Sequence, residues 1–263
     1  MSAVPSRPMP ALFIGHGSPM NAIEESEFSR GFADAARRIP RPTAVLCISA
    51  HWETRGVVVT ATQRPETIHD FFGFPPALFA VLYPASGAPD IARKIAARVS
   101  TTRISLDGQR GLDHGSWSVL RRMYPEADVP VVQLSLDRTK PPAAHLDLAR
   151  ELSFLRDEGV LVLGSGDIVH NLSLADFGME DGYDWAVRFD EEVRRRIVAG
   201  DLAALAAYDQ LPDSRRAVPT PEHYLPLLYV LALRRESDSV SFFNEGIVLG
   251  SISMTSVAIG AAP

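Results

Sequence analysis

Short apolar runs rich in β-branched residues punctuate the chain at Ala11–Ile14, Thr43–Ser49, Val57–Ala61, Val129–Leu136, Val160–Leu163 and Ile247–Ile259. Runs of this length bounded by Gly, Pro and polar residues read as buried strands, the last of them as a strand or two. Between them, apolar residues recur at helical spacing. Phe28, Phe32 and Ala35 mark one helix, and Ile91, Ile95 and Val99 a second. Leu148, Leu152 and Leu155 mark a third, and Trp185, Phe189, Val193 and Ile197 a fourth. Tyr224–Leu233 is apolar almost all round, as a buried helix is, and starts near Pro221. Strands alternating with helices predict an α/β fold with a central, mostly parallel sheet flanked by helices. No composition shift or Gly/Ser linker divides the chain. Residues 1–10 read as a flexible N-terminal arm, 11–263 as a single domain, and Pro212–Pro221 as a long loop inside it.

Composition narrows the function without naming it. The chain has 263 residues, 46% of them apolar, enough for a large core, and a formal net charge of -6 with no long basic run. Nucleic acid and anionic membranes are therefore poor partners, and a small molecule fits better. The N-terminus lacks the apolar stretch of a signal peptide, and Gly246–Ala262 is too interrupted by Gly, Ser and Thr to read as a membrane span. Cys47 is the single cysteine, which excludes an internal disulfide and a cysteine zinc site; set in an apolar run, it reads as a buried, inert thiol. These features together predict a cytoplasmic protein.

The candidate chemistry lies in the histidines, seven in all. His16 follows the first apolar run, His51 the second, and His170 the run Val160–Leu163 and the turn-like Gly164-Ser-Gly-Asp167. Three strands thus each deliver a histidine at or just past the carboxyl end, the edge where ligands bind in open α/β sheets. One histidine after a strand is an ordinary loop residue. Three that tertiary structure can gather, flanked by glycines, point to a single divalent metal, for which neutral imidazole is the commonest protein ligand. His114 and His223 lie in loop-like or helix-start contexts, and His69 sits in an aromatic segment as either pocket wall or packing. His145 is expected on the solvated side of its helix. Phe71, Phe72, Phe74 and Trp117 are candidate walls of an aromatic pocket. No His-Glu-x-x-His, P-loop, complete dinucleotide fingerprint or Gly-x-Ser-x-Gly is present.

Six segments in order carry a resemblance: Gly15-His-Gly-Ser-Pro-Met20, Ile48-Ser-Ala-His-Trp-Glu-Thr54, Thr67-Ile-His-Asp-Phe-Phe-Gly-Phe-Pro75, Gly111-Leu-Asp-His-Gly-Ser-Trp117, Gly164-Ser-Gly-Asp-Ile-Val-His-Asn-Leu172 and Pro219-Thr-Pro-Glu-His-Tyr-Leu-Pro226. In them the chain resembles the class III extradiol ring-cleavage dioxygenases, specifically their 4,5-DOPA dioxygenase branch. The resemblance implies that 11–263 is one catalytic domain. It places His16, His51 and His223 at metal-ligand positions and His170 at a fourth ligand or the active-site base. It puts His114 in the substrate pocket, where His69, Trp117 and Glu222 are further candidate substrate contacts. Relatives acting on protocatechuate use two histidines and a glutamate. Here Glu222 and His223 stand side by side, and the DOPA branch implies the histidine as ligand, with Glu222 behind it.

The implied reaction inserts O2 beside the two hydroxyls of a catechol such as L-DOPA and opens the ring to a muconic semialdehyde. Three protein ligands leave three positions open on Fe(II), enough for two catechol oxygens and O2. A histidine can take the second catechol proton and return it later; His170 is the candidate, with His114 hydrogen-bonding the substrate. Two alternatives stay open. The same imidazoles suit Zn(II), which would make a non-redox hydrolase or an inactive form. A non-enzymatic Memo-type binding protein shares the broad fold, but need not keep His16, His51, His170 and His223 together.

Overall fold

A computed structural model describes residues 7–179 and 181–260. The chain begins β1 (Ala11–Gly15), α1 (Glu27–Arg38), β2 (Ala44–Thr54) and β3 (Val57–Thr60). It continues through α2 (Pro76–Phe79), α3 (Pro89–Arg98), β4 (Ile104–Asp107), α4 (His114–Met123), β5 (Val131–Asp137), α5 (Pro142–Glu151), α6 (Phe154–Asp157) and β6 (Val160–Gly166). The last third holds α7 (Asp184–Ala199), α8 (Leu202–Ala206), α9 (Ser214–Ala217) and α10 (Leu225–Leu231). Four short strands close it: β7 (Val240–Phe243), β8 (Ile247–Val248), β9 (Ile252–Ser253) and β10 (Ser256–Ile259).

Eight strands form one sheet in the order β4-β3-β5-β2-β6-β1-β10-β7. The central β5-β2-β6-β1 block is parallel, and β3 against β5, β10 against β1 and β7 against β10 are antiparallel. The expected α/β architecture is therefore present. Strand alternation separates two cores. Ala11, Phe13, Leu46 and Ile48 face a layer containing α3, α5, α7 and α10, while Leu12, Ile14, Val45 and Cys47 face α1 and α4. Cys47 is wholly buried and burial raises its thiol pKa, the inert state its apolar run predicts. Every residue of α10 is buried, because the helix lies between the sheet and α5. No helix among the described residues is long and apolar enough to cross a membrane.

The boundaries depart from the sequence reading where side-chain periodicity is weak. The helix marked by Leu148, Leu152 and Leu155 is two, α5 and α6, separated at Leu152–Ser153. The loop 212–221 contains α9, and α10 starts at Leu225 after a turn closed by Pro221. Strands β4 and β7 lie outside the expected runs; they pair near the two sheet edges and alternate too little to announce themselves. Of the N-terminal arm, residues 1–6 lie outside the described residues. Met9 and Pro10 are buried, and Met9 N–H donates to Arg156 O at 2.8 Å. His145 requires a correction: it is buried, not solvated. It precedes Leu148 by three residues and Leu152 by seven, so all three share one helix face. That face meets α10, where the His145 ring is 2.9 Å from the Tyr229 hydroxyl and burial lowers its pKa.

One charged group ties the ends of this fold together. Arg156 is fully buried and donates from Nε to Met9 O, from Nη1 to Leu233 O and Asp238 Oδ2, and from Nη2 to Asp238 Oδ1. It thereby clamps the entry to β1 against the exit of α10 and the approach to β7. Removing one member of a buried pair leaves the other charge uncompensated, a loss of about 3–5 kcal/mol. Asp238→Ala should lose that much in urea unfolding, whereas Asp157→Ala, which breaks the exposed pair with Arg235, should lose less than about 1 kcal/mol. Equal losses would show that the clamp adds nothing.

Candidate metal centre

Four strand ends and loops bring the histidines together. His16 follows β1 directly, its backbone N–H donating to Gly166 O. His51 lies inside β2, where the pairing with β5 slips between Ile48 and Glu53. Four residues of β2 there, 49–52, stand against one of β5, Ser135, and His51 lies in the resulting bulge, outside the ladder with β5. His223 precedes α10, its carbonyl accepting from Asp167 N–H just past β6. Gly166 has to be glycine, because a Cβ would overlap the His223 carbonyl oxygen. At Gly115, in the first turn of α4, a Cβ would overlap Ser49 Oγ and crowd the His51 ring.

The ligand atoms of His16, His51 and His223 all lie within 4.8 Å of one another, and His16 Nε2 is 3.2 Å from His51 Nε2. Hydrogen bonds on the far side of two rings set which nitrogen faces the group. The Ser165 hydroxyl gives its one proton to Gly115 O, so it must accept from His16 Nδ1–H, leaving the lone pair on Nε2. Glu222 Oε1 accepts from His223 Nδ1–H at 3.2 Å, which leaves His223 Nε2 a lone pair, buried and without a partner. Burial, reinforced by the neighbouring imidazoles, holds His16 and His223 well below the usual histidine pKa. Burial and His114 bring His51 down to about 4. The rings are therefore neutral at pH 7, with the lone pairs of His16 and His223 turned inward. Two ligand atoms on a tetrahedral ion with bonds of roughly 2.1 Å stand about 3.4 Å apart, close to the His16–His51 spacing. The donor set fits a divalent metal.

His170 is beside this group but oriented differently. Its ring is stacked on His223, with centroids 3.4 Å apart and planes 8° from parallel. Imidazole lone pairs lie in the ring plane, so an ion in the plane of His223 is out of the plane of His170. Asp167, His170 and His223 also each offer a ligand atom within 4.8 Å of the others. Burial lowers the His170 pKa to about 4.

His114, the first residue of α4, stands on the other side, its ring centroid 3.8 Å from that of His51. Asp70 Oδ1 accepts both its backbone N–H and its Nδ1–H, at 3.0 and 2.9 Å, so the Nε2 of His114 is an acceptor. The α4 N-cap is Asp113, a fully buried carboxylate that also accepts from Ser49 Oγ at 2.7 Å and Gln133 Nε2 at 2.7 Å. This one group fixes the start of the β2 bulge and the start of α4, and with them the relative positions of His51 and His114.

The three expected substrate contacts each have a polar atom engaged within the chain. Trp117 is wholly buried and donates Nε1–H to Ile68 O, so its ring backs His69 and Phe71 from behind. His69 Nε2–H donates to Val81 O, pinning the aromatic segment to itself. Glu222 Oε1 accepts from Thr220 as well as His223. Of the candidate aromatic walls, Phe71 presents its ring edge-on to His114 at 5.5 Å, whereas Phe72 is 91% exposed. Asp70, Asp113, Ser165 and Asp167 were not singled out by sequence. All four stand inside the quoted motifs, but a carboxylate or hydroxyl has no spacing rule that marks it as a partner.

Comparison with known proteins agrees with this geometry. Residues 10–259 match the family described as the catalytic LigB subunit of aromatic ring-opening dioxygenase. An Escherichia coli (strain K12) protein named 4,5-DOPA dioxygenase extradiol is 45% identical over 257 residues, 96% of this chain and 95% of that one. A Beta vulgaris protein of the same name is 36% identical over 239 residues, 88% of this chain and 89% of that one. The crystal structure of an Escherichia coli K12 protein described as uncharacterized aligns with a TM-score of 0.85 at 40% identity, covering 96% of this chain and 100% of that one. With histidines from β1, the β2 bulge and the entry to α10 converging at the sheet edge, the chain belongs to the LigB family of aromatic ring-opening enzymes, the class III extradiol dioxygenases.

Proposed function

We propose that this dioxygenase cleaves a small catechol such as L-DOPA beside its two hydroxyls, taking both atoms of O2 into a muconic semialdehyde. His16, His51 and His223 hold one divalent metal, Fe(II) in the working enzyme. The observation that carries the reading is the convergence of three neutral imidazoles next to two further histidines, His170 and His114, the latter held by Asp70 through Nδ1 so that Nε2 is left for substrate. The relatives named as 4,5-DOPA dioxygenases support the choice of substrate. When bound, Fe(II) brings catechol and O2 together, acidifies the hydroxyls and supplies the redox chemistry that Zn(II) lacks.

The chain's own residues handle protons and orientation. His170, neutral and out of the ligand set, takes the second catechol proton and later returns it. His114 accepts a hydrogen bond from the substrate through Nε2, because Asp70 holds the proton on Nδ1. Phe71 meets the aromatic ring, with His69 and Trp117 supporting it from behind. Glu222 acts on the metal side by fixing His223 rather than by binding substrate. A cytoplasmic location belongs to the same proposal, since a chain with one cysteine has no internal disulfide to require an oxidising compartment.

Protein loaded with Fe(II) and mixed with L-DOPA or another catechol in air should consume O2 and turn yellow; no uptake across a catechol panel would sink the assignment. The Zn(II)-loaded form should be silent in the same oxygen-electrode assay. His170→Ala should keep its metal by elemental analysis while kcat falls roughly 10²- to 10⁴-fold, the range expected for a lost general base. Loss of metal from that variant would instead make His170 a ligand.

A further inference from the structure

Residues 251–256 touch both the stretch that carries His170 and the end of β1. The first half of the segment runs beside His170. Ser251 O accepts the Asn171 N–H at 3.1 Å, Ile252 bridges His170, and Ser253 N–H donates to Val169 O at 2.9 Å. The second half closes on the residues flanking His16. Gly15 N–H donates to Ser256 Oγ at 3.0 Å, a Cβ on Gly15 would overlap the Met254 carbonyl, and one on Gly17 would overlap Met254 Sδ. Asp190, buried in the middle of α7, holds the link between the halves. Its Oδ1 accepts from the Ser253 hydroxyl at 2.5 Å and its Oδ2 from the Thr255 hydroxyl at 3.1 Å. Arg194, one turn further along α7, pairs with Glu245 instead. Burial pushes the Asp190 pKa up to about 6, so the charge it carries at pH 7 is kept at a cost to stability.

We propose that Asp190 is a positioning residue for the reaction: by gripping Ser253 and Thr255 it fixes where His170 stands relative to the His16 side of the metal centre. The inference rests on the reading of His170 as the proton-transfer base and names what holds that base in place. Among the described residues no hydrogen bond reaches the His170 ring, whose direction comes from stacking on His223 and from its own backbone. That backbone has two holds, the N–H to Ala217 O and the bridge to Ile252. The second hold is only as firm as residues 251–256, and α7 anchors them through the two hydroxyls. Ser253 and Thr255 flank Met254, so a carboxylate with two acceptor oxygens grips the link on both sides at once. His16 does not depend on that anchor, because its N–H donates to Gly166 O and its ring to Ser165. Asp190 therefore acts on proton transfer and leaves the metal bound.

The test is a double-mutant cycle on the Fe(II)-loaded protein, with metal affinity and folding read separately on the metal-free form. Asp190→Ala should lower kcat about 10- to 100-fold, the scale of a misplaced reacting group, with KM within about twofold of wild type. In a His170→Ala background the same change should cost less than about twofold more, because the base it positions is gone. Asp190→Asn, which keeps one acceptor oxygen, should recover part of the loss. Metal-free Asp190→Ala, titrated with Zn(II) against a chromophoric chelator, should match wild type in affinity and stay folded at the assay temperature by circular dichroism. Should that variant not fold, Thr255→Val removes one of the two bonds at nearly constant shape and makes the same comparison. An undiminished kcat in Asp190→Ala, equal losses in the two backgrounds, or Zn(II) affinity lost together with kcat would each overturn the positioning role. Wild-type kcat in His170→Ala would instead overturn the base on which the inference rests, whatever Asp190→Ala shows.

Discussion

Two imidazole nitrogens, Nε2 of His16 and Nε2 of His51, stand 3.2 Å apart inside the protein, with the unpartnered Nε2 of His223 nearby. Such a group resists assembly from within, because each protonated ring would repel the others and each neutral ring turns a lone pair into a desolvated space. The surroundings are arranged to hold the rings in place regardless. Ser165 and Glu222 take the outward protons of His16 and His223, and Asp70 takes that of His114. Each outer contact sets a tautomer, so the geometry of the centre is decided one bond away from it.

Those outer contacts depend in turn on the sheet. The parallel β5-β2-β6-β1 block delivers the ends of β1 and β6 side by side, paired as far as Gly15 against Gly166. The β2 bulge then supplies the third direction of approach, and Asp113 holds it against α4. α10 brings His223 in close because its first turn packs on β6 where Gly164 has no side chain, and His223 itself sits against Gly166. At the opposite side of the fold, Arg156 binds the entry to β1 and the exit of α10 with one buried guanidinium. The two elements that carry His16 and His223 are thus fixed at both ends.

The stacking of His170 on His223 holds the two rings in nearly parallel planes 3.4 Å apart. Of two stacked rings, only one can aim an in-plane lone pair at a given point. In the function proposed above, orientation rather than distance divides the histidines between holding the metal and moving protons. It also explains why several neighbouring histidines need not compete for one metal.

From the sequence alone came the α/β class, the strand-end placement of His16 and His170, the inert Cys47, and the family resemblance in six ordered segments; His51, expected past a strand end, lies instead in a bulge inside β2. Each of these is written in local order: alternating apolar runs, a residue type at a strand end, a motif. The sequence left undecided whether His170 is a ligand or a base, because that is a matter of ring planes set by packing between distant loops. It misplaced His145, whose burial depends on α10 covering a face with only one polar residue to mark it. Nor did it reveal Asp70, Asp113 or Asp167 as partners, since a carboxylate acquires its role only from what lies across a hydrogen bond, here 44, 64 and 150 residues away in the chain. Tertiary structure decided the burial of His145, the ring planes and the hydrogen-bond partners, because orientation and desolvation are properties of contacts that local sequence does not contain.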